Sequence, residues 1–224
     1  MISRKTLVTE DGSHTIYQQD LDETYHSAHG AIRESEHVFI HAGLKHVVAD
    51  GKRPIGIFEV GFGSGLNALL SWNFAEKHQI SIRYHCVEPF PLEVELIEQL
   101  NYVQLLGGVQ RGVDLLQLHT SPWNDSSKLS AFFEFAKFDK GIQGFECRNL
   151  FDLCYFDAFA PAKQPEMWQI SVLQKIKNLL HQNGVLVTYS ACGQLKRDLR
   201  ALRFTVESLP GAPGKMEMVR ATKS

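Results

Sequence analysis

The segment FEVGFGSGLNAL, Phe58 to Leu69, passes from an apolar run into three alternate glycines, Gly61, Gly63 and Gly65, and then into a helix-like stretch. Glycine at a strand-to-helix junction permits positive φ and lets a ligand approach the backbone closely. The helix N-terminus that follows presents unpaired N–H groups. The spacing is GxGxG, without the third glycine of a dinucleotide fingerprint and without the GK[ST] of a phosphate loop. Glu59 stands just before the loop, and Glu88 ends the next strand-like run, where an acid takes both ribose hydroxyls.

A loop preceded by an acid suits a ligand with a cationic or amine end better than one whose pyrophosphate must sit there. S-adenosylmethionine is such a ligand, with an α-ammonium, a sulfonium and a ribose but no phosphate. The expected cofactor-binding set is Glu59, Gly61, Phe62, Gly63, Gly65, Asn67, Glu88 and, from further along the chain, Asp157.

Outward from the loop, apolar strand runs alternate with amphipathic helical runs, which predicts an α/β fold with a mostly parallel sheet covered on both faces. Strands are expected in IGIFEV (55–60), SIRYHCVEP (81–89), AFFEFAKF (131–138), FDLCYFD (151–157) and GVLVTYS (184–190). Helices are expected in GLNALLSWNFAEKH (65–78), PLEVELIEQLNYVQLL (91–106), PEMWQISVLQKIKNLLHQ (165–182, closed by Asn183-Gly184) and GQLKRDLRAL (193–202). FTVESL and KMEMVRAT are joined only by PGAPG and should pair as an antiparallel hairpin at the sheet edge. Before residue 50, TLVTEDGSHTIYQQ reads as a small hairpin with an Asp-Gly turn. ESEHVFIHAGLKHVVAD reads as a helix whose apolar side is Val38, Phe39, Ala42, Leu44 and Val47 or Val48. The expectation is one domain over 1–224, with 1–50 as an appendage packed on it.

The 224 residues, 44% hydrophobic and 21% charged, suffice for a full core. No apolar run approaches the ~18 residues that cross a bilayer, and the N-terminus lacks a signal-peptide core, so a cytoplasmic location is expected. Cys86, Cys147, Cys154 and Cys192 have no zinc-type spacing and read as free thiols, so no metal is expected. A net charge of −2 excludes nucleic-acid binding by bulk charge alone and leaves room for a local basic patch.

FDLCYFDAFAPAKQPEMW, Phe151 to Trp168, ends an apolar strand on Asp157. A carboxylate there is costly unless used. Pro161 stiffens the turn after it and Phe159 can wall a pocket.

The stretches YHSAHGAIRESEHVFIHAGL (25–44), FEVGFGSGLNAL (58–69), YFDAFAPAKQPEMW (155–168) and TYSACGQLKRDLRALRFTVESLPGAPGKMEM (188–218) resemble the MnmC-like tRNA methyltransferase family of class I S-adenosylmethionine-dependent enzymes. The DAFAPAK-x-P-x-[ML]-W signature is the most specific of them. The resemblance implies a Rossmann-like class I methyltransferase with a seven-stranded sheet. It also implies methylation of the 5-aminomethyl group of wobble 2-thiouridine in tRNA, giving 5-methylaminomethyl-2-thiouridine. That implied reaction needs an amine lone pair aimed at the methyl carbon, and an alkyl amine is mostly protonated at neutral pH. Asp157 is then expected to accept the departing proton or hold the amine by one N–H, positioning being the larger effect. In some bacteria the domain is fused to a flavin-dependent oxidoreductase; no room for that partner exists here, so a stand-alone form is expected.

The family's Gly-Asp pair facing adenine is replaced by AKFDKGIQGF, with Asp139 as the stand-in, and Met216 replaces an arginine in GKMEM. Tyr25 and His26 are expected over the methionine end of the cofactor. Phe159 or Trp123 is expected to stack on the base, with the loop His119 to Asp125 as a lid. The tRNA contacts are expected from Lys163, Lys215 and the C-terminal cations Lys196, Arg197, Arg200, Arg203, Arg220 and Lys223. Lys196, Arg200 and Arg203 share one helical stripe. A methyl- or aminopropyltransferase acting on a small amine, and a non-catalytic tRNA-binding protein, are the alternatives.

Overall fold

The computed structural model describes residues 3–49, 51, 54–107, 110 and 112–224. Its centre is β4 (Ile55–Val60), in which Ile55, Ile57, Phe58 and Val60 are all buried. A strand buried on both faces reads as a continuous apolar run, which is why alternation is absent there. Parallel neighbours are β5 (Ile82–Val87) on one side and β8 (Phe151–Phe156) on the other, followed outward by β7 (Phe133–Phe138) and β9 (Leu180–Thr188). β10 (Phe204–Pro210) and β11 (Glu217–Lys223) form the antiparallel hairpin, with β11 lying between β10 and β9.

Among the described residues a further strand, β6 (Ser126–Lys128), pairs antiparallel with β7 at the edge, so the sheet has eight strands rather than seven, in the order β10-β11-β9-β8-β4-β5-β7-β6. The sequence of β6 is Ser-Ser-Lys, mostly exposed, and carries no apolar signal to read.

The N-terminal hairpin is present as β1 (Arg4–Val8) and β2 (His14–Gln18), with a short β3 (Glu23–Thr24) added beside β2. The helix α1 covers residues 31–49, with wider π turns over Glu36–Leu44 between two α segments. Val38, Phe39, Leu44 and Val47 are buried as expected, and Ala42 and Val48 are half-buried. Gly43 lets α1 settle on the sheet, since a Cβ there would stand 3.0 Å from Val187 Cγ2.

Two expected helices differ. α2 (Leu66–His78) follows the glycine loop as read, but the run 91–106 breaks into α3 (Val94–Ile97) and α4 (Tyr102–Leu105). Asn101 sits at the break, donating to Gly12 O at 2.9 Å and accepting from His14 N at 2.9 Å, so a tie to the N-terminal hairpin replaces a helical turn. After α5 (Leu115–Thr120), the run 165–182 divides similarly into a 3₁₀ turn, Pro165–Trp168, and α6 (Ile170–Leu179). α6 buries Val172, Leu173, Ile176 and Leu179, one helical face. The chain then enters β9, where Asn183 at φ 62 and Gly184 form a bulge rather than a helix end. α7 (Gly193–Ala201) stands as read.

Candidate active site

The carboxyl ends of β4, β5 and β8 meet at one edge, and a cavity of about 840 Å³ opens there. Open parallel sheets place ligands at this edge. Its walls include the glycine loop, Glu88 to Phe90, Asp157 to Ala160 and residues from the N-terminal segment.

The loop conformation depends on glycine at two points in particular. A Cβ on Gly61, at φ 91, would lie 2.7 Å from the backbone oxygen of Asp157, and one on Gly65, at φ 77, would lie 2.8 Å from His119 Nε2. Ser64 is held from both sides: its hydroxyl is 2.8 Å from His26 Nε2 and its carbonyl accepts from His119 Nε2 at 3.1 Å. Burial pushes both imidazoles down to about 4, so both stay neutral in the physiological range. His26 lines the cavity but faces the loop that it braces.

The Gly63 N–H donates to Glu88 Oε2 at 3.0 Å, and the Phe90 N–H donates to Oε1 at 2.9 Å. Burial raises the Glu88 pKa while these two N–H groups oppose the rise. A carboxylate has about four acceptor sites, so Glu88 keeps capacity for hydroxyl donors from a ligand.

Asp157 is half-buried at the end of β8 and lines the cavity. Its Oδ2 accepts from Asn67 Nδ2 at 2.8 Å, and the same nitrogen donates to Glu59 Oε1 at 2.9 Å. Glu59 is fully buried and is absent from the cavity lining, so it meets no ligand directly: it orients Asn67, which orients Asp157. Burial raises Glu59 well above the usual carboxylate range. Burial and the Glu34 charge push Asp157 up to about 7, against the opposing pull of the Asn67 hydrogen bond and Lys215.

Tyr25 and Phe159 meet edge to face, ring centroids 5.0 Å apart, and both line the cavity with Phe62 and Gly63. Lys163 also lines it, but its ammonium donates to Asp22 O at 2.9 Å. Asp139 is exposed and outside the lining; Ile142 and Gln143 of the following turn occupy that side instead. The expected lid is packed elsewhere: Trp123 bridges to Lys137 of β7, whose ammonium lies 4.4 Å from its ring centroid, and neither lines the cavity.

Of the C-terminal cations, Lys196 pairs with Glu217 at 2.5 Å, Arg220 grips both oxygens of Glu207 at 2.9 and 3.0 Å, and Lys223 donates to the carbonyls of Lys177 and Leu180. Arg197 bonds Gln194 at 2.8 Å and remains exposed, as do Arg200 and Arg203. Sequence reasoning missed Glu34 and Tyr189, both in the cavity wall beside Lys215. Glu34 reads as an ordinary acid at a helix start and Tyr189 as a β-former, so neither carries a local signal.

A mostly parallel sheet ending in an antiparallel hairpin, with a glycine loop after its central strand and an acid ending the next, is the arrangement of the class I S-adenosyl-L-methionine-dependent methyltransferase fold. Residues 119–224 match the family model described as S-adenosyl-L-methionine-dependent methyltransferase. The chain is 31% identical over 232 residues to the tRNA 5-methylaminomethyl-2-thiouridine biosynthesis bifunctional protein MnmC of Azoarcus sp. (strain BH72), covering 94% of this chain and 34% of that protein. For the protein of the same description in Cupriavidus metallidurans, the identity is 31%, over 96% of this chain and 33% of the relative.

The chain thus spans about a third of the length of the curated relatives it matches. The solved structure of MNMC2 from Aquifex aeolicus shares the fold, with a TM-score of 0.80 at 24% identity over 100% of this chain and 71% of that one. The chain is thus similar to S-adenosyl-L-methionine-dependent methyltransferases through residues 119–224 and, over nearly its whole length, to about a third of the length of the MnmC bifunctional proteins. The residues present fit that cofactor. Gly61 to Ser64 of the loop line the cavity, Glu88 directly follows β5 at the position where such folds use an acid for ribose hydroxyls, and the cavity bounded by these residues and Asp157 has room for an adenosyl group. Among the described residues no helix is long and apolar enough to cross a membrane.

Proposed function

We propose that this chain methylates the 5-aminomethyl group of wobble 2-thiouridine in tRNA, giving 5-methylaminomethyl-2-thiouridine. The observation that carries the reading is Asp157, fixed through Asn67 in the cavity wall beside the glycine loop, where burial raises its carboxyl to about 7. The printed activity of the relatives supports the choice of acceptor.

The bound cofactor supplies an electrophilic methyl group on sulfur. Tyr25, Gly63 and Glu88 form the part of the wall suited to hold it, and Phe159 adds an apolar face that excludes water. Asp157 receives the acceptor ammonium, R–NH₃⁺, and takes one proton, leaving R–NH₂ with its lone pair free and the carboxyl neutral. A base with a pKa near 7 is half ionised at neutral pH and is a usable acceptor for that proton. With the cofactor held there, the N–CH₃ bond would form as the S–CH₃ bond breaks, leaving the sulfur as a neutral thioether and the product as R–NH₂⁺–CH₃. Asn67 holds one Asp157 oxygen throughout, so the second oxygen keeps a defined direction towards the acceptor.

For the tRNA, Arg197, Arg200 and Arg203 are the exposed cations of the C-terminal segment and provide the phosphate contacts. Lys196 contributes less, because Glu217 already neutralises it. Phe159, in the cavity wall, is the aromatic this reading assigns to stack on the wobble base. Incubation of hypomodified tRNA carrying the aminomethyl nucleoside with the protein and S-adenosylmethionine, followed by nucleoside mass spectrometry, tests the reading. A mass gain of one methyl on that nucleoside is expected; an unchanged nucleoside refutes it.

A further inference from the structure

Lys215, in the turn between β10 and β11, directs its –CH₂–NH₃⁺ into the cavity. The nitrogen lies 2.5 Å from Glu34 Oε1 and 3.8 Å from the centroid of the Tyr189 ring. Both partners are fixed independently of Lys215. The Glu34 side chain is 7% exposed and its Oε2 accepts from the Ser27 N–H at 2.8 Å. The Tyr189 hydroxyl donates to the carbonyl of Ala158, the residue after Asp157, at 2.8 Å. A carboxylate and an aromatic face around one ammonium form a cation site of high selectivity for alkylammonium. Lys215 itself is less fixed: its side chain is 32% exposed, and the neighbouring Met216 is 95% exposed.

We propose that Glu34 and the Tyr189 ring form the ammonium-recognition subsite for the methyl acceptor, and that Lys215 fills it as an internal stand-in until a substrate ammonium displaces it. The inference rests on the proposed function in taking the acceptor to be a primary aminomethyl group, chemically the same –CH₂–NH₃⁺ that Lys215 presents. The exchange conserves charge, because one ammonium leaves Glu34 as another arrives, and the buried carboxylate is never left unpaired. It also delivers the acceptor to the wall that carries Asp157. The displaced Lys215 reaches solvent through rotamer changes in a flexible side chain and becomes available to a phosphate.

The probes are 5-aminomethyluridine and its neutral counterpart 5-hydroxymethyluridine, titrated calorimetrically into the wild-type chain, Lys215→Met and Lys215→Met/Glu34→Gln. Removing the internal competitor is expected to tighten aminomethyluridine binding about tenfold or more, since apparent affinity scales with the fraction of open site. Hydroxymethyluridine should not gain, and Glu34→Gln should erase the gain. No tightening in Lys215→Met, or a gain that survives Glu34→Gln, overturns the proposal.

A measurement on the wild-type chain needs no variant to fold. The ¹⁵N signal of the Lys215 ammonium, protected in the cage, should be lost when aminomethyluridine binds and kept when hydroxymethyluridine binds; its persistence with bound aminomethyluridine also overturns the proposal. Methyl transfer to aminomethyl-tRNA is read in parallel. Glu34-dependent nucleoside binding without transfer refutes the tRNA reading and leaves the cage standing, whereas transfer indifferent to Glu34 refutes the cage alone.

Discussion

At Asp157 the local electrostatics pull against stability. Its folded pKa of about 7 lies above the ordinary value of 3.8, so the folded state binds the proton more tightly than the unfolded state. That preference stabilises the fold fully below the unfolded value and is lost as pH rises through about 7. Asp157→Asn removes the ionisable group and keeps an acceptor for Asn67. The variant should therefore melt higher than wild type at pH 8 with little difference at pH 4, checked by thermal denaturation at both. The same variant should keep cofactor affinity within about threefold while slowing methyl transfer by about 10²-fold or more. Transfer by the wild type, as kcat/KM, should rise with pH along a limb centred near 7 that the variant lacks. Asp157 was legible in the sequence because a lone acid ending an apolar strand is conspicuous. Glu59 was equally conspicuous yet lies behind Asn67, because sequence shows that an acid is costly without showing which way it faces.

Between elements, the glycine loop and the end of β8 are in direct backbone contact at Gly61 and Asp157. Gly61→Ala places a methyl 2.7 Å from a carbonyl that cannot rotate away, at a φ of 91 that L-residues rarely adopt. Cofactor affinity should fall by about tenfold or more, for a strain of roughly 1–3 kcal/mol, measured by calorimetry with S-adenosylmethionine. The strands β4, β5, β7 and β8 were readable because burial on both faces leaves long apolar runs. The divided helices were not, since Asn101 breaks its helix by bonding to Gly12 and His14, nearly ninety positions away, and periodicity carries no record of such ties. The edge strand β6 went unread for the related reason that its three polar residues bury almost nothing.

On the scale of the whole molecule, the cavity is assembled from segments far apart in the chain: Glu34 and Lys215 meet across 181 positions. Motif reading finds what one segment holds and misses what two make together. The surface cations follow the same logic. The sequence suggests a helical stripe of Lys196, Arg200 and Arg203, but only the fold shows that α7 ends at Ala201, before Arg203, and that Lys196 is paired with Glu217. Arg200→Ala should weaken tRNA binding and lower the salt slope by about one, whereas Lys196→Ala should change both less. Filter binding of tRNA across a salt series distinguishes them.

The central claim is that this site methylates an aminomethyl wobble uridine, and the most direct measurement follows that one nucleoside. tRNA from cells lacking the gene, before and after incubation with purified protein and S-adenosylmethionine, is digested and its wobble nucleosides are weighed by mass spectrometry. The prediction is conversion of 5-aminomethyl-2-thiouridine to its N-methyl form by wild type, and conversion slowed by about 10²-fold with Asp157→Asn. Aminomethyl-thiouridine left unconverted by folded, cofactor-binding wild-type protein would contradict the account.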